Sequence, residues 1–415
     1  MAKRATSRRG AELFGRLWSA IGDARASRQA LTALALNAST SFVAGAVLGA
    51  ITETFTSRPG LLVLVPAAIG LRGNIFTPVG NRLSTAIHTG TFSLSRSRRS
   101  VLGQNVIAAV VLTIAASALL GLVAKVIAVG LGQADSVSVS DFVVVSTVGG
   151  VLASAVVLAS TVGIAGGAVR FGWDLDDVSA PLVSTLGDVL TLPALWLAAG
   201  LAGIAVVTSS IAVLAIVAAV IVVVLSLRSS LDELIRIVRQ SLPVLLVAGA
   251  VSALAGVAVE RQLEPFTEHP ALLVLLPAFL SSCGALGGIL SGRLGTKLHL
   301  GLIDAVTVPG RLARRDIGAA LGLAVPVFVF DALGATVVAM LVGHETPGVG
   351  RMLAVSVLGG AIAMAAVILV AYYGTIASFR VGLDPDTYGI PLVTSTVDFA
   401  GAVALVLAIV AIGLG

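Results

Sequence analysis

The sequence predicts an all-α, polytopic membrane protein in which two five-helix repeats lie in parallel orientation, joined by one linker transmembrane helix. Three observations predict it. The 415 residues are 57% apolar and 11% charged, with a mean hydropathy of +1.06. Continuous apolar runs recur, such as "IAVLAIVAAVIVVVLSL" at 211–227. The second half of the chain also repeats the first. Helices satisfy their own backbone hydrogen bonds in lipid, so runs of this length read as helical spans. A β-barrel would show short alternating segments instead.

The repeat is gapless over its clearest stretch. "RPGLLVLVPAAIGLRGNIFTPVGNRLSTAIHTG" from Arg58 aligns with "HPALLVLLPAFLSSCGALGGILSGRLGTKLHLG" from His269, a constant offset of 211 residues. Pro59, Pro66 and Gly73 meet Pro270, Pro277 and Gly284, and Arg82, Thr85 and His88 meet Arg293, Thr296 and His299. Downstream, "GWDLDDVSAPLVSTLGDV" matches "GLDPDTYGIPLVTSTVDF" after a slip of one residue.

Each half reads as five spans, at 30–55, 60–82, 101–130, 142–169 and 181–203, then at 241–261, 271–293, 317–342, 352–379 and 390–412. Five is odd, so a direct fusion would invert the second half. The apolar run from Ser210 has no repeat partner and supplies one more crossing, which restores parallel orientation about an axis along the membrane normal. Eleven spans result. The domains are a basic tail at 1–27, a first repeat at 28–203, a linker helix at 204–238 and a second repeat at 239–415.

Charge gives the topology independently. Lys3, Arg4, Arg8, Arg9, Arg16 and Arg25 lie in the tail, and Arg96, Arg98, Arg99, Arg311, Arg314 and Arg315 follow the second spans. Eleven crossings place all of them on one side, cytoplasmic by the positive-inside rule, with the C-terminus outside. The net charge of +5 therefore reads as a topology signal in a cell-membrane protein, not as nucleic-acid binding. In the tail, Leu13, Phe14, Leu17, Trp18 and Ile21 form one helical stripe, read either as an interfacial helix or as part of a disordered basic tail. No cleavage signal precedes the first apolar run, so that run is expected to remain as a span. The single cysteine, Cys283, excludes an intrachain disulfide.

Two spans carry an aspartate. "PLVSTLGDVLTLPALWL" opens at Pro181 and holds Asp188; "PLVTSTVDFAGAVALVL" opens at Pro391 and holds Asp398. Each acid follows its proline by seven residues, about 10 Å at about 1.5 Å per residue. A carboxylate at the bilayer centre costs about 2.5–3.5 kcal/mol on insertion scales. Ser184 and Thr185, and Thr394 and Ser395, precede the acids by four and three residues and share their helix face. Two carboxylates facing one another repel, so one takes a proton unless a cation sits between them. Oxygen ligands without soft donors suit a hard divalent ion, and Mg²⁺ keeps much of its water while touching few carboxylates. The bland reading is a pair of buried acids bonded to neighbouring hydroxyls.

Other polar residues have weaker claims. Arg72 and Asp331 fall mid-span at similar depth and are candidates to pair. Glu53 and Glu264, at the outer ends of the first spans, fit an outer cation site or interfacial solvation. Asp174, Asp176, Asp177, Asp384 and Asp386 precede the aspartate helices; they either gather cations at an inner mouth or are ordinary acids at helix N-termini. Arg82, Arg293, His88, His299 and Lys297 read as inner-interface anchors, and Lys125 as a residue that snorkels outward.

The stretch "LVPAAIGLRGNIFTPVGNRLST", with the "VSTLGD" and "VTSTVD" helices, resembles the MgtE-type magnesium transporter domain. The two-copy layout is similar to that of the eukaryotic solute carriers related to MgtE and their prokaryotic homologues. The resemblance implies five helices per domain around a central cation pore, with the fifth-helix aspartate that binds Mg²⁺ falling on Asp188 and Asp398. It places the family's Gly-Asn on Gly73-Asn74 and the basic residue before it on Arg72. The second half departs from it with Gly284-Ala285, and Phe76 stands where an acid is common.

The expected function is a divalent-cation transporter or channel, not an enzyme, with Mg²⁺ as cargo, the bilayer as partner, no organic cofactor and a functional monomer. A Na⁺- or H⁺-coupled Mg²⁺ exchanger is the alternative. An intramembrane aspartyl protease is a distant one, since its two catalytic acids sit in dissimilar motifs.

Overall fold

Lipid leaves an apolar chain one economical way to satisfy its amides, and the computed structural model is helical wherever regular structure forms. It describes residues 24–95, 97–171, 175–381 and 390–414, so the tail stripe at 11–21 lies outside the described residues. The first half holds α1 (Ala24–Thr56), a 3₁₀ turn (Leu61–Val63), α2 (Leu64–His88), α3 (Val101–Gly130), α4 (Val139–Phe171) and α5 (Leu175–Ala199). The linker is α6 (Ala205–Leu227). The second half holds α7 (Asp232–Glu260), the short α8 (Leu263–Glu268), α9 (Ala271–His299), α10 (Arg311–Val342), α11 (Val349–Val381) and α12 (Ile390–Ala411). Among the described residues there is no strand, and ten helices are long and apolar enough to cross a membrane. The described side-chain portion of α5 adds the apolar stretch Leu186–Ala199.

One of the boundaries that differ from the sequence reading bears on the site. Pro181 does not open α5, which begins at Leu175. Asp188 therefore lies 13 residues into its helix, about 20 Å along it. Proline lacks an N–H and usually marks a helix start, but in a membrane neighbouring helices tolerate one within a helix.

The halves exchange their first helices. α1 packs on α9 and α10 of the second half, while α7 packs on α2 and α3 of the first. The exchange is exact at residue level: a methyl on Gly45 would lie 2.4 Å from the carbonyl oxygen of Val274, and one on Gly256 would lie 2.4 Å from that of Val63. Both pairs obey the 211-residue offset. Without a hydrophobic drive between helices in lipid, such close approach through glycine is what dispersion packing needs.

Hydrogen bonds place the loops at two ends. At one, the Glu260 carboxylate closing α7 accepts from the Gly60 amide and, at 3.2 Å, from the Val63 amide, which opens α2. Arg261 bonds the Leu131 carbonyl after α3, and Val137 N bonds Pro59 O at 2.9 Å. The C-terminal ends of α1, α3 and α7 thus lie together. At the other end, Leu234 N at the start of α7 bonds Gln104 Oε1 at the start of α3, 3.2 Å away. That end carries Arg98, Arg99, Arg228, Arg236, Arg311, Arg314 and Arg315.

The linker α6 is the most apolar candidate span and has the smallest buried share. It packs on α3, α4 and α7, and its outer surface is apolar (Val206, Val213, Leu214 and Leu225 are exposed). Apolar surface left uncovered on the most apolar helix is lipid-facing surface.

Gly45→Ala and Gly256→Ala are each expected to lower stability by about 1–3 kcal/mol through overpacking at the exchanged contacts. Gly163→Ala, where a methyl meets nothing within 4 Å, is expected to be neutral or up to about 1 kcal/mol stabilising. Thermal unfolding of the purified protein in detergent measures all three.

Candidate functional site

Between the halves lies a cavity of about 280 Å³. Asp188 of α5 and Asp398 of α12 both line it, with residues of α1, α2 and α9 completing the wall. This volume is more than tenfold the roughly 10–15 Å³ that one buried water needs, so it has room for an ion with part of its water shell.

Glycines shape the space around the acids. A methyl on Gly70 of α2 would lie 3.9 Å from Asp398 Oδ2, and one on Gly284 of α9 would lie 3.6 Å from Oδ1. Asp398 thus reaches into the seam between α2 and α9. A methyl on Gly73 would meet nothing within 4 Å, so the family Gly-Asn position opens onto free space. Beside Asp188, Gly187 lets α5 approach α2, where its methyl would lie 3.3 Å from Arg72 Cβ.

Asn74 and Thr394 line the cavity as well. Thr394 also donates to Pro391 O at 3.2 Å, and Ser395 is buried behind it, 1% exposed. The side chains of Ser184, Thr185 and Glu53 lie outside the described ones, and Asp174 and Asp384 lie outside the described residues. Glu264 sits exposed on α8, away from the cavity.

Four polar contributors were missed by sequence reasoning: Asn37, Thr77, Asn81 and Ser281. Asn37 of α1 donates to Ser281 Oγ of α9 at 2.8 Å, which joins the halves at the cavity wall. An amide within the first apolar span was the available signal for Asn37. For Thr77 and Asn81 it was spacing, since with Asn74 they recur at three and four residues on one helix face; Ser281 carried no such signal.

Arg72 and Asp331 do not pair. The Arg72 guanidinium is fully buried and donates to Gly150 O (2.7 Å) and Ser154 Oγ (2.7 Å) of α4 and to Ser117 Oγ (2.9 Å) of α3. It points into the first half, away from the cavity. Asp331 is fully buried in α10, where its side-chain neighbour is Ser282 of α9 and not Arg72. The depths are similar, but helix rotation faces the two side chains into different interhelical spaces.

The second half keeps the same frame with different contents. Ser146 Oγ bonds Ser117 O at 2.7 Å, and its counterpart Ser356 Oγ bonds Phe328 O at 2.7 Å. Where the first half places a guanidinium among hydroxyls, the second places Cys283 and the Phe328 ring, which packs on Phe279 with centroids 5.1 Å apart. At the basic end, Arg82 bonds Asn105 Oδ1 at 2.6 Å, while Lys297 bonds Asp316, the counterpart of Asn105, at 2.7 Å. Lys125 reaches toward the loop that follows α3. It donates to Ser136 O at 2.9 Å and lies 5.8 Å above the Phe142 ring.

Chemically, the cavity presents two carboxylates, amides and hydroxyls, which are hard oxygen donors. Among the described residues, no group of three or more His, Cys, Asp or Glu side chains is arranged to hold a metal. Such a donor set suits a hydrated ion better than a stripped one. Arg72→Lys replaces a planar fork that reaches three partners with a point donor, and is expected to cost about 1.5–3 kcal/mol. Thermal unfolding compared with the parent measures it.

Known proteins resemble this chain over most of its length. The frog Xenopus laevis solute carrier family 41 member 2 is 23% identical over 395 residues, covering 85% of this chain and 65% of the relative. The mouse solute carrier family 41 member 3 is 23% identical over 380 residues, covering 85% and 75%. The human solute carrier family 41 member 2 is 22% identical over 395 residues, covering 86% and 64%. The chain thus spans about two thirds of the length of the frog and human relatives. No solved structure matches. The MgtE family, described as divalent cation transporters, matches twice, at 65–198 and 276–408. Together these stretches cover more than half the chain and contain both cavity aspartates, and the protein is a multi-pass member of the MgtE family of divalent cation transporters.

Proposed function

We propose that this protein moves Mg²⁺ across the cell membrane through the cavity between its halves, with Asp188 and Asp398 holding a largely hydrated ion. The observation that carries the proposal is that aspartates from corresponding helices of the two family-matched stretches line one cavity. A divalent charge offsets the repulsion of two ionised carboxylates in a low-dielectric setting. Asn74 and Thr394 bond the ion's waters. Two carboxylates suffice because Mg²⁺ surrenders its waters reluctantly.

In this reading the halves are parallel repeats with eleven crossings, α5 supplying the eleventh. Contact between the ends of α1 and α7 supports the parallel arrangement. The arginine-rich end is cytoplasmic, so the N-terminus is inside and the C-terminus outside. One chain contains both halves of the cavity, and it works as a monomer.

A Na⁺- or H⁺-coupled exchanger is the second reading. Asp331 favours it, because a fully buried carboxylate outside the cavity lining is a place for a coupling ion. Dependence of Mg²⁺ flux on an imposed Na⁺ or proton gradient separates exchange from passive conduction.

Proteoliposomes carrying an internal Mg²⁺-sensitive dye test the site. The Asp188→Asn/Asp398→Asn double variant is expected to lose at least about tenfold in Mg²⁺ flux, equivalent to about 1.4 kcal/mol or more, with an unchanged elution profile. Undiminished flux in that variant would remove the site.

A further inference from the structure

We infer that the ion travels between the aspartate pair and the basic end of the molecule along one face of α2, with the facing stretch of α9 contributing clearance and no ligands. The inference rests on the cavity reading above and specifies which oxygens touch the water shell of the passing divalent cation.

Three observations converge. First, Asn74, Thr77 and Asn81 line the cavity on one face of α2, and their counterparts in α9 are Ala285, Gly288 and Gly292. A methyl on Gly288 or Gly292 would meet nothing within 4 Å. Second, the lining runs unequally on the two helices. On α2 it extends from Pro66 to Asn81, about 22 Å, and on α9 only from Pro277 to Ala285, about 12 Å. Beyond Asn81 the same face continues to Thr85 and His88, both exposed.

Third, Pro78 lies within α2 and lines the cavity. Proline has no N–H, so the Asn74 carbonyl lacks its helical donor four residues on. The counterpart of Pro78 is Ile289, so α9 frees no carbonyl at this level. The freed oxygen belongs to a residue already on the cavity face. A backbone carbonyl without its helical donor keeps its capacity to accept a hydrogen bond from water.

The result is a file of neutral oxygens over two helical turns: the Asn74 carbonyl and amide, the Thr77 hydroxyl and the Asn81 amide. Neutral oxygens hold an ion's waters without trapping the ion, as passage requires. The two family-matched stretches are therefore unequal partners in conduction. Each supplies an aspartate, but only the first supplies the file.

Flux in Mg²⁺-dye proteoliposomes tests this, together with thermal unfolding in detergent. Thr77→Val/Asn81→Ala is expected to conduct Mg²⁺ roughly tenfold more slowly, the effect of two lost hydrogen-bonding oxygens. Pro78→Ala returns a donor to the Asn74 carbonyl. It is expected to slow Mg²⁺ flux several-fold while raising the melting temperature, a combination that a purely structural role for the proline does not produce. Parental flux in both variants, with flux lost in the aspartate double variant, overturns the file and leaves the aspartate site standing. Parental flux in the aspartate double variant overturns both.

Discussion

A carboxylate in hydrocarbon must find water, a proton or a cation, and this constraint organises the molecule. Asp188 and Asp398 come from helices far apart in sequence, yet both line the space between the halves. Around them the backbone is thinned to glycine at 70, 73, 187 and 284, which lets helices approach at some points and leaves open volume at others. The surrounding donors are hydroxyls and amides, which bond water readily, whereas the one thiol, Cys283, is fully buried outside the lining. Few charges and many neutral oxygens are the donor set that the proposed hydrated ion requires.

The cavity exists only because the halves interlock. α1 packs on α9 and α10 of the other half while keeping α5 of its own, and α7 packs on α2 and α3 while keeping α12. Asn37 comes into the wall from the exchanged α1 and bonds Ser281 across the boundary. At the acidic end the Glu260 carboxylate gathers the amides that open α2. An anion at a helix start meets unpaired N–H groups and the positive end of the helix dipole, so one side chain both satisfies orphan donors and ties the halves. Separation of the halves would expose these amides and the glycine seams together.

Duplication left a common frame that has since diverged in content. Ser146 and Ser356 make the same bond to the neighbouring helix. Behind Asp188 that frame holds a fully buried guanidinium fixed by three oxygens; in the second half it holds an aromatic pair, and Asp331 lies fully buried on α10. The fields behind the two cavity acids therefore differ even though the acids correspond. On the cavity side the same divergence appears as an oxygen-bearing α2 facing an α9 of alanine and glycine.

Helical spans, repeat offset and the aspartate pair were legible in the sequence, because lipid demands long apolar helices and because an acid repeated in two apolar spans stands out by type alone. Composition and register are properties of the chain itself, and no tertiary knowledge is needed to read them. The start of α5 upstream of Pro181 was not legible, since tolerance of a proline depends on neighbouring helices. Nor was the separation of Arg72 from Asp331: depth follows from sequence position, but facing follows from helix rotation. The exchange of α1 and α7 was equally hidden, because Gly45 and Gly256 acquire meaning only when Val274 and Val63 approach them. The sequence by itself determined which residues leave water and which charges lie at membrane depth. Only the tertiary structure decided which faces share the cavity, because that choice is made by packing between helices hundreds of residues apart.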